Sequence, residues 1–281
     1  MALTVRNNVA AINSINTLNR TQNKLTNSLA KISSGLRVNS AGDDAAGLSV
    51  ASRQESDNTS LKQAMRNAND GISLVQTAEG GLIEVYNILV RMRELAVQGS
   101  NATYNSGDRA AISKEFTTLA SEIKRIASVA NFNRQKVLNS SSTSFALQIG
   151  IHKNADNKIV LNLASVAATW GSLKINSSNL AASGITSLAR SVTAINVIDT
   201  ALKSVNTARS TLGSYQNRLE STLNEASNYS QNLASSASQI LDVDYATESA
   251  NMTRYQIMQQ AGVAALGQAK AIPQSIISLL S

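Results

Sequence analysis

Asp43-Asp44 is this sequence's nearest approach to a catalytic carboxylate pair. Two neighbouring carboxylates can divide acid and base work when their surroundings push their pKa values apart. These two precede Ala45-Ala46-Gly47-Leu48, where a carboxylate meets the free N–H groups of a first helical turn. Helix capping is therefore the expected role. Asp242 and Asp244 precede Tyr245-Ala-Thr-Glu248 in the same way and carry the same expectation. His152 is the only histidine and there is no cysteine, which excludes disulfides, thiolate metal sites and a two-histidine zinc motif. His152 has no Ser or Cys nucleophile arrangement around it, and in a hairpin turn it is expected to be solvated. Gly35, Gly42 and Gly47 follow no strand and make neither a dinucleotide fingerprint nor a phosphate loop, so they are expected at turns and hinges. Arg91 and Arg93 are expected on a charged helix surface. No catalytic, cofactor-binding or metal-binding residue emerges, and no cofactor is expected.

The elements that carry these residues are long helices. Among 281 residues, 43% are apolar, only 4% are aromatic, and Pro273 is the sole proline. That balance suits packed helices with few breaks better than a compact core built on aromatic bulk. The net charge is +7, and much of the excess lies early, at Arg6, Arg20, Lys24, Lys31 and Arg37, with no acid and no aromatic among the first forty residues. A nucleic-acid surface would interleave aromatics with its cations, so no nucleic-acid partner is expected. No apolar run reaches the length of a membrane span, so no membrane insertion is expected. The N-terminus lacks a basic start followed by an apolar stretch, so no cleaved signal is expected and export would need another route.

Steps of four and three residues pick out apolar lines. From Ala11 they give Ile15, Leu18, Gln22, Leu25, Leu29, Ile32 and Leu36. From Leu61 they give Met65, Ala68, Ile72, Val75, Glu79, Leu82, Tyr86, Leu89, Arg93 and Ala96, with Glu79 and Arg93 as polar faults and Gly80-Gly81 as a point of bending. A third line runs from Ile112 through Phe116, Leu119, Ile123 and Ile126 to Ala130. The longest runs from Ile198 to Ile240, with Arg209, Gln216 and Ser230 as its faults. Near the C-terminus the residues are small (Ala261, Gly262, Ala264, Ala265), so helices can approach closely there. Between the helical halves, Phe145–Ile149 and Lys158–Leu163 alternate around Asn154–Asn157, the pattern of a β-hairpin. The expected fold is mainly α: a long antiparallel helical coiled-coil bundle, N- and C-terminal helices paired, with a small β-hairpin insert.

Periodicity stops at a self-associating helical rod. Motifs go further. Ser33-Ser-Gly-Leu-Arg-Val-Asn-Ser-Ala-Gly-Asp-Asp-Ala-Ala-Gly-Leu48 resembles the N-terminal signature of bacterial flagellins, and Arg93-Glu-Leu-Ala-Val-Gln98 the signature that comes after it in the family. Asp244-Tyr-Ala-Thr-Glu248, Gln259-Gln-Ala-Gly262 and Pro273-Gln-Ser-Ile-Ile-Ser-Leu-Leu280 resemble the C-terminal ones. One departure is Phe132-Asn133-Arg134, where a Gly commonly comes after the Asn in this family.

The resemblance implies a hairpin-shaped subunit that polymerises with copies of itself into the flagellar filament for swimming. Residues 1–44 and 242–281 would form the inner tube, disordered in the monomer, packed through Leu25, Leu29, Ile32, Leu36, Ile257, Ala261, Ala264, Ile276 and Leu279. Residues 45–241 would form the surrounding rod, with the hairpin and a reduced variable region at 140–190, making this a short form without large outer domains. It implies export through the flagellar type III pathway, an extracellular location, and a structural role with no enzymatic activity. Implied partners are an export chaperone at the C-terminal helix, the hook-junction and cap proteins, and the flagellin-sensing Toll-like receptor. The receptor-reading positions correspond to Arg91, Leu95 and Glu115, with an exposed Leu95 beside Arg91 as the expected hot spot. The alternatives are a hook–filament junction protein, which would share the terminal helices but not the full motif set, and a soluble coiled-coil interaction module, which would not need apolar, Ala- and Gly-rich termini.

Overall fold

The computed structural model describes residues 8–138, 144–163 and 184–280, and for 272–280 the backbone course only. The described elements are α1 (Val9–Ser34), α2 (Ala45–Gly99), α3 (Ser106–Val129), β1 (Asn131–Phe132), β2 (Gln135–Lys136), β3 (Ser144–Gln148), β4 (Lys158–Asn162), α4 (Leu188–Leu241) and α5 (Tyr245–Leu280). The chain divides into two compact units, one made of Met1–Asn58 with Gln231–Ser281, the other of Thr59–Ser230. Helices α2 and α4 contribute to both.

In the unit Thr59–Ser230, α4 runs antiparallel to α2. Gly71 approaches Leu219, Glu79 lies by Arg209, Arg93 by Asp199 and Gly99 by Ser191. Helix α3 folds back along α2, bringing Glu115 to Arg91. Its start is fixed by a capping box in which Asn105 and Asp108 satisfy each other's backbone N–H groups. The core of this unit includes Leu82, Leu89, Met92, Leu95, Phe116, Ile123, Ile198, Val205, Leu212 and Leu219. The β3–β4 hairpin pairs Ser144 with Asn162 through Gln148 with Lys158, as the alternation predicts, and buries Ile159 and Leu161. Helix α2 continues through Gly80-Gly81 without a break, and a Cβ at Gly81 would stand 2.7 Å from the Leu138 side chain. The Ser- and Ala-rich part of the insert lies outside the described residues.

In the unit of the two termini, α1 and α5 pair antiparallel. Asn8 donates to the Ala269 carbonyl, Gln259 to Gln22, and Ser28 to the Glu248 carboxylate. Helix α1 stops at Gly35, whose φ of 75° is the left-handed conformation a helix end favours. Arg37 and Val243 then exchange backbone bonds with Leu241 and Gly35.

The seams differ from the sequence expectation in one systematic way. Each predicted line alternates two rows of residues seven apart, and one row is buried as expected: Leu61, Ala68, Val75, Leu82, Leu89 and Ala96 in α2. The other row (Met65, Ile72, Glu79, Tyr86, Arg93) lies on the flank, partly or fully exposed. Its place in the seam is taken by Ala64, Gly71, Ala78, Val85, Met92 and Gly99. Ala194, Ala201 and Ala208 do the same in α4, and Thr21 and Ser28 in α1. At four of these six α2 places the residue is Ala or Gly, and such small side chains let two backbones come near each other while the large row packs over the edges. Glu79, Arg93 and Arg209 are thus not faults in a seam but charges beside one.

Candidate interaction surfaces

Arg91 lies on the exposed side of α2, with about half of its side chain accessible. Its Nε and Nη2 donate to Glu115 Oε1 at 3.0 and 2.9 Å, and Nη1 donates to Glu94 Oε2 at 2.9 Å. The hydrogen bonds to Glu94 and Glu115 hold the guanidinium protonated more firmly than usual. The cluster is a planar cation clamped between two carboxylates on neighbouring helices. Leu95 corrects the expectation of an exposed neighbour: it is only 2% exposed, packed in the core of its unit. It lies one turn along from Arg91 but beside the fully buried Met92 and Ala96, and that edge of the helix is covered. The structure therefore brings Arg91 and Glu115 together and withholds Leu95 from the surface.

The terminal pair presents a different surface. Helix α1 has two apolar rows. One, with Ala11 and Leu25 buried and Leu18 and Ile32 half-buried, faces α5 through small polar Thr21 and Ser28. The other, Val9, Ile12, Ile15 and Leu29, is 40–58% exposed. On α5, Met252, Tyr255, Gly262, Leu266 and Ala269 lie on the half-buried side, while Ile257, Met258 and Val263 are 61%, 40% and 56% exposed. Of the residues expected to pack the inner tube, Leu25 is buried, Ile32 and Leu36 are half-buried, and Leu29, Ile257, Ala261 and Ala264 are exposed. Ile276 and Leu279 lie beyond the residues whose side chains are described. The heptad reading missed Val9, Ile12, Met258 and Val263. Their signal was present in the sequence as large apolar residues off the assumed row.

The carboxylate pairs divide their work. Asp44 accepts from the Gly47 N–H at 2.8 Å and caps α2, while Asp43 accepts from the Asn39 and Ser40 N–H groups and the Ser40 hydroxyl. Asp244 accepts from the Ala246 and Thr247 N–H groups and the Thr247 hydroxyl and so caps α5. Asp242 accepts from the Ser238 hydroxyl at the end of α4. The Ser40 and Thr247 hydroxyls, with backbone donors beside them, hold the Asp43 and Asp244 carboxyls below the usual carboxylate range. Low pKa and full exposure make poor proton-transfer groups. His152 is exposed, at an open cavity of about 600 Å³ shared with Asp156, Arg218, Glu225 and Tyr229. Among the described residues, no three His, Cys, Asp or Glu side chains gather to hold a metal ion, and no helix is long and apolar enough to cross a membrane.

Known proteins share this chain's sequence over nearly its whole length. The bacterial flagellin N-terminal helical region matches residues 5–143, and the bacterial flagellin C-terminal helical region matches residues 195–280. A flagellin of Halalkalibacterium halodurans is 44% identical over 276 residues, covering 98% of this chain and 99% of that one. The flagellar filament 33 kDa core protein of Treponema phagedenis is 36% identical over 286 residues, covering 98% and 99%. A solved putative flagellar hook-associated protein from Vibrio parahaemolyticus, 16% identical with a TM-score of 0.54, covers 71% of this chain and 100% of that one, and shares the fold alone. A match that runs end to end against a relative of the same length leaves no room for large outer domains. Paired terminal helices, a helical unit with two small antiparallel hairpins, and these matches together place the chain in the bacterial flagellin family, as a short form whose role is that of a structural subunit of the flagellar filament.

Proposed function

We propose that the exposed apolar row on the terminal helices is where copies of this chain join to build the filament. The observation that carries it is the double apolar pattern of α1: one row packs toward α5, while Val9, Ile12, Ile15 and Leu29 stay 40–58% exposed. A second copy can bury this row, and the exposed Ile257, Met258 and Val263 of α5 offer matching surface. In this reading, residues 1–44 and 242–281 form the inner tube and 45–241 the surrounding rod. The paired ends bury few large side chains of their own, so they are marginal alone and become ordered on assembly. Such ends suit export in an unfolded state, a chaperone shielding α5 beforehand, and junction and cap proteins meeting the same surfaces at the filament's two ends. The location is extracellular and the role structural, without enzymatic activity. The test is salt-induced assembly and negative-stain microscopy of Ile12→Ser with Ile15→Ser, beside deletions of residues 1–30 or 252–281. Loss of filaments with the unit Thr59–Ser230 still folded is expected. Filaments of normal length from the double variant or from either deletion would refute the assignment.

A second reading concerns host recognition by the flagellin-sensing Toll-like receptor through Arg91 and Glu115, supported by their exposed contact, in which two guanidinium nitrogens donate to one carboxylate oxygen. Monomer should activate reporter cells, and Arg91→Ala should raise the concentration needed. Cross-linked filament should be silent if the same surface is covered in the polymer. An inactive wild-type monomer, or an Arg91 variant as potent as wild type, would sink this reading.

A further inference from the structure

We infer that two ion pairs flanking the α2–α4 seam, Glu79–Arg209 and Arg93–Asp199, set the stagger at which α4 lies along α2. The seam itself discriminates poorly between staggers, because its rows repeat every seven residues. Gly71, which packs against Leu219, would meet Leu212 or Ala226 after a shift of one heptad, apolar in either direction. The connection does not force the choice either, since a long stretch of chain separates Gly99 at the end of α2 from Leu188 at the start of α4. The flanking charges do discriminate. Arg93 Nε donates to Asp199 Oδ1 at 2.7 Å, and Arg209 Nη2 lies 3.6 Å from Glu79 Oε1. After the same shift, Glu79 would face Leu202 or Gln216, and Arg93 would face Val192 or Asn206, so both pairs are lost together. Arg209 makes the loss sharper. Its Nε is buried without a hydrogen-bond partner among the described residues, so removing Glu79 would take away the carboxylate beside a partly buried guanidinium. Pairs this exposed add little to total stability. They need add little, because choosing between nearly equal registers takes only a modest difference, as charges beside coiled-coil seams show.

The absence of cysteine allows a direct test in the full-length chain. A Cβ at Gly99 would stand 3.7 Å from the Ser191 Cβ, within disulfide reach, so Gly99→Cys with Ser191→Cys reports the native stagger under mild oxidation. Met92→Cys with Ser191→Cys, and Gly99→Cys with Ile198→Cys, report shifts of one heptad in the two directions. Into each background goes the reversal Glu79→Arg with Asp199→Arg, or the full exchange that adds Arg209→Glu and Arg93→Asp. The reversal should cut the native cross-link yield relative to the shifted ones by about tenfold, as two modest attractions become repulsions. The full exchange should restore the wild-type yield. A reversal that leaves the native yield unchanged overturns the inference, and so does an exchange that fails to restore it. If the reversal also lowers helical circular dichroism, the exchange still decides: recovery of the native cross-link supports the inference and its absence overturns it.

Discussion

Asn133 and Arg134 carry the tight turn between β1 and β2 at φ of 48° and 65°. Two positive values suit a two-residue hairpin turn, which favours Asn at the first place and Gly at the second. Arg134 therefore holds a conformation that L residues with a Cβ adopt at a cost of about 1 kcal/mol. Arg134→Gly is expected to raise the unfolding free energy, read from urea denaturation, by up to a comparable amount, offset in part by the greater freedom glycine gives the unfolded chain. The pair of residues offered for receptor reading separates in the same kind of measurement. Leu95→Ala should cost about 2–5 kcal/mol of unfolding free energy by leaving a cavity, whereas Arg91→Ala should leave the midpoint near wild type. A weakened Leu95 variant thus reports on folding before it reports on recognition. Asp244 gives a pH dependence. Its folded carboxyl is depressed by Thr247 and backbone donors, so its contribution is present above the ordinary carboxylate pKa of about 3.9 and is lost as pH falls through the lower folded value. In assembled filaments, where the ends are proposed to be ordered, amide exchange in residues 245–248, corrected for intrinsic rates, should speed up below about pH 4, and Asp244→Ala should abolish that pH step.

At the scale of the element, the helices and the hairpin were legible because apolar spacing and alternation are local properties. The seam was legible only in part. Sequence spacing found the row shared by both possible seams, Leu61 through Ala96, but gave the second place to Met65, Ile72 and Tyr86 because they are larger and more apolar than Ala64, Gly71 and Ala78. Hydrophobicity ranks the wrong row first when the deciding quantity is how near two backbones can come. The same reasoning made Glu79 and Arg93 look like interruptions, and their partners on α4 are not readable from either helix alone. Two glycines sharpen the contrast between required and dispensable small residues. A Cβ at Gly80 or Gly213 meets nothing within 4 Å. Gly80→Ala and Gly213→Ala should each stabilise by about 0.5–1 kcal/mol. Gly184→Ala should destabilise, since its φ is 57° and the Ser113 side chain occupies the space a methyl group would need. Thermal midpoints of the three variants check both directions.

At the scale of the molecule, the two units differ in what buries them. The unit Thr59–Ser230 contains a connected core with Leu89, Met92, Phe116 and Leu212 fully buried, while α1 buries only Ala11, Thr21, Leu25 and Ser28. Monomer amides of α1 and of α5 up to residue 271 should therefore exchange at the shortest labelling time, with those around Leu89 and Leu212 protected. Equal protection would remove the argument that the ends become ordered on assembly. The proposed joining of copies through the exposed row on α1 has a consequence for the kinetics of polymerisation. Where the α1 row of one copy meets Ile257, Met258 and Val263 on the α5 of the next, the two surfaces differ, so the contact is head-to-tail and stays open-ended instead of closing as a dimer does. Association of that kind shows a lag set by nucleation, a critical concentration below which chains stay free, and abolition of the lag by sheared seeds.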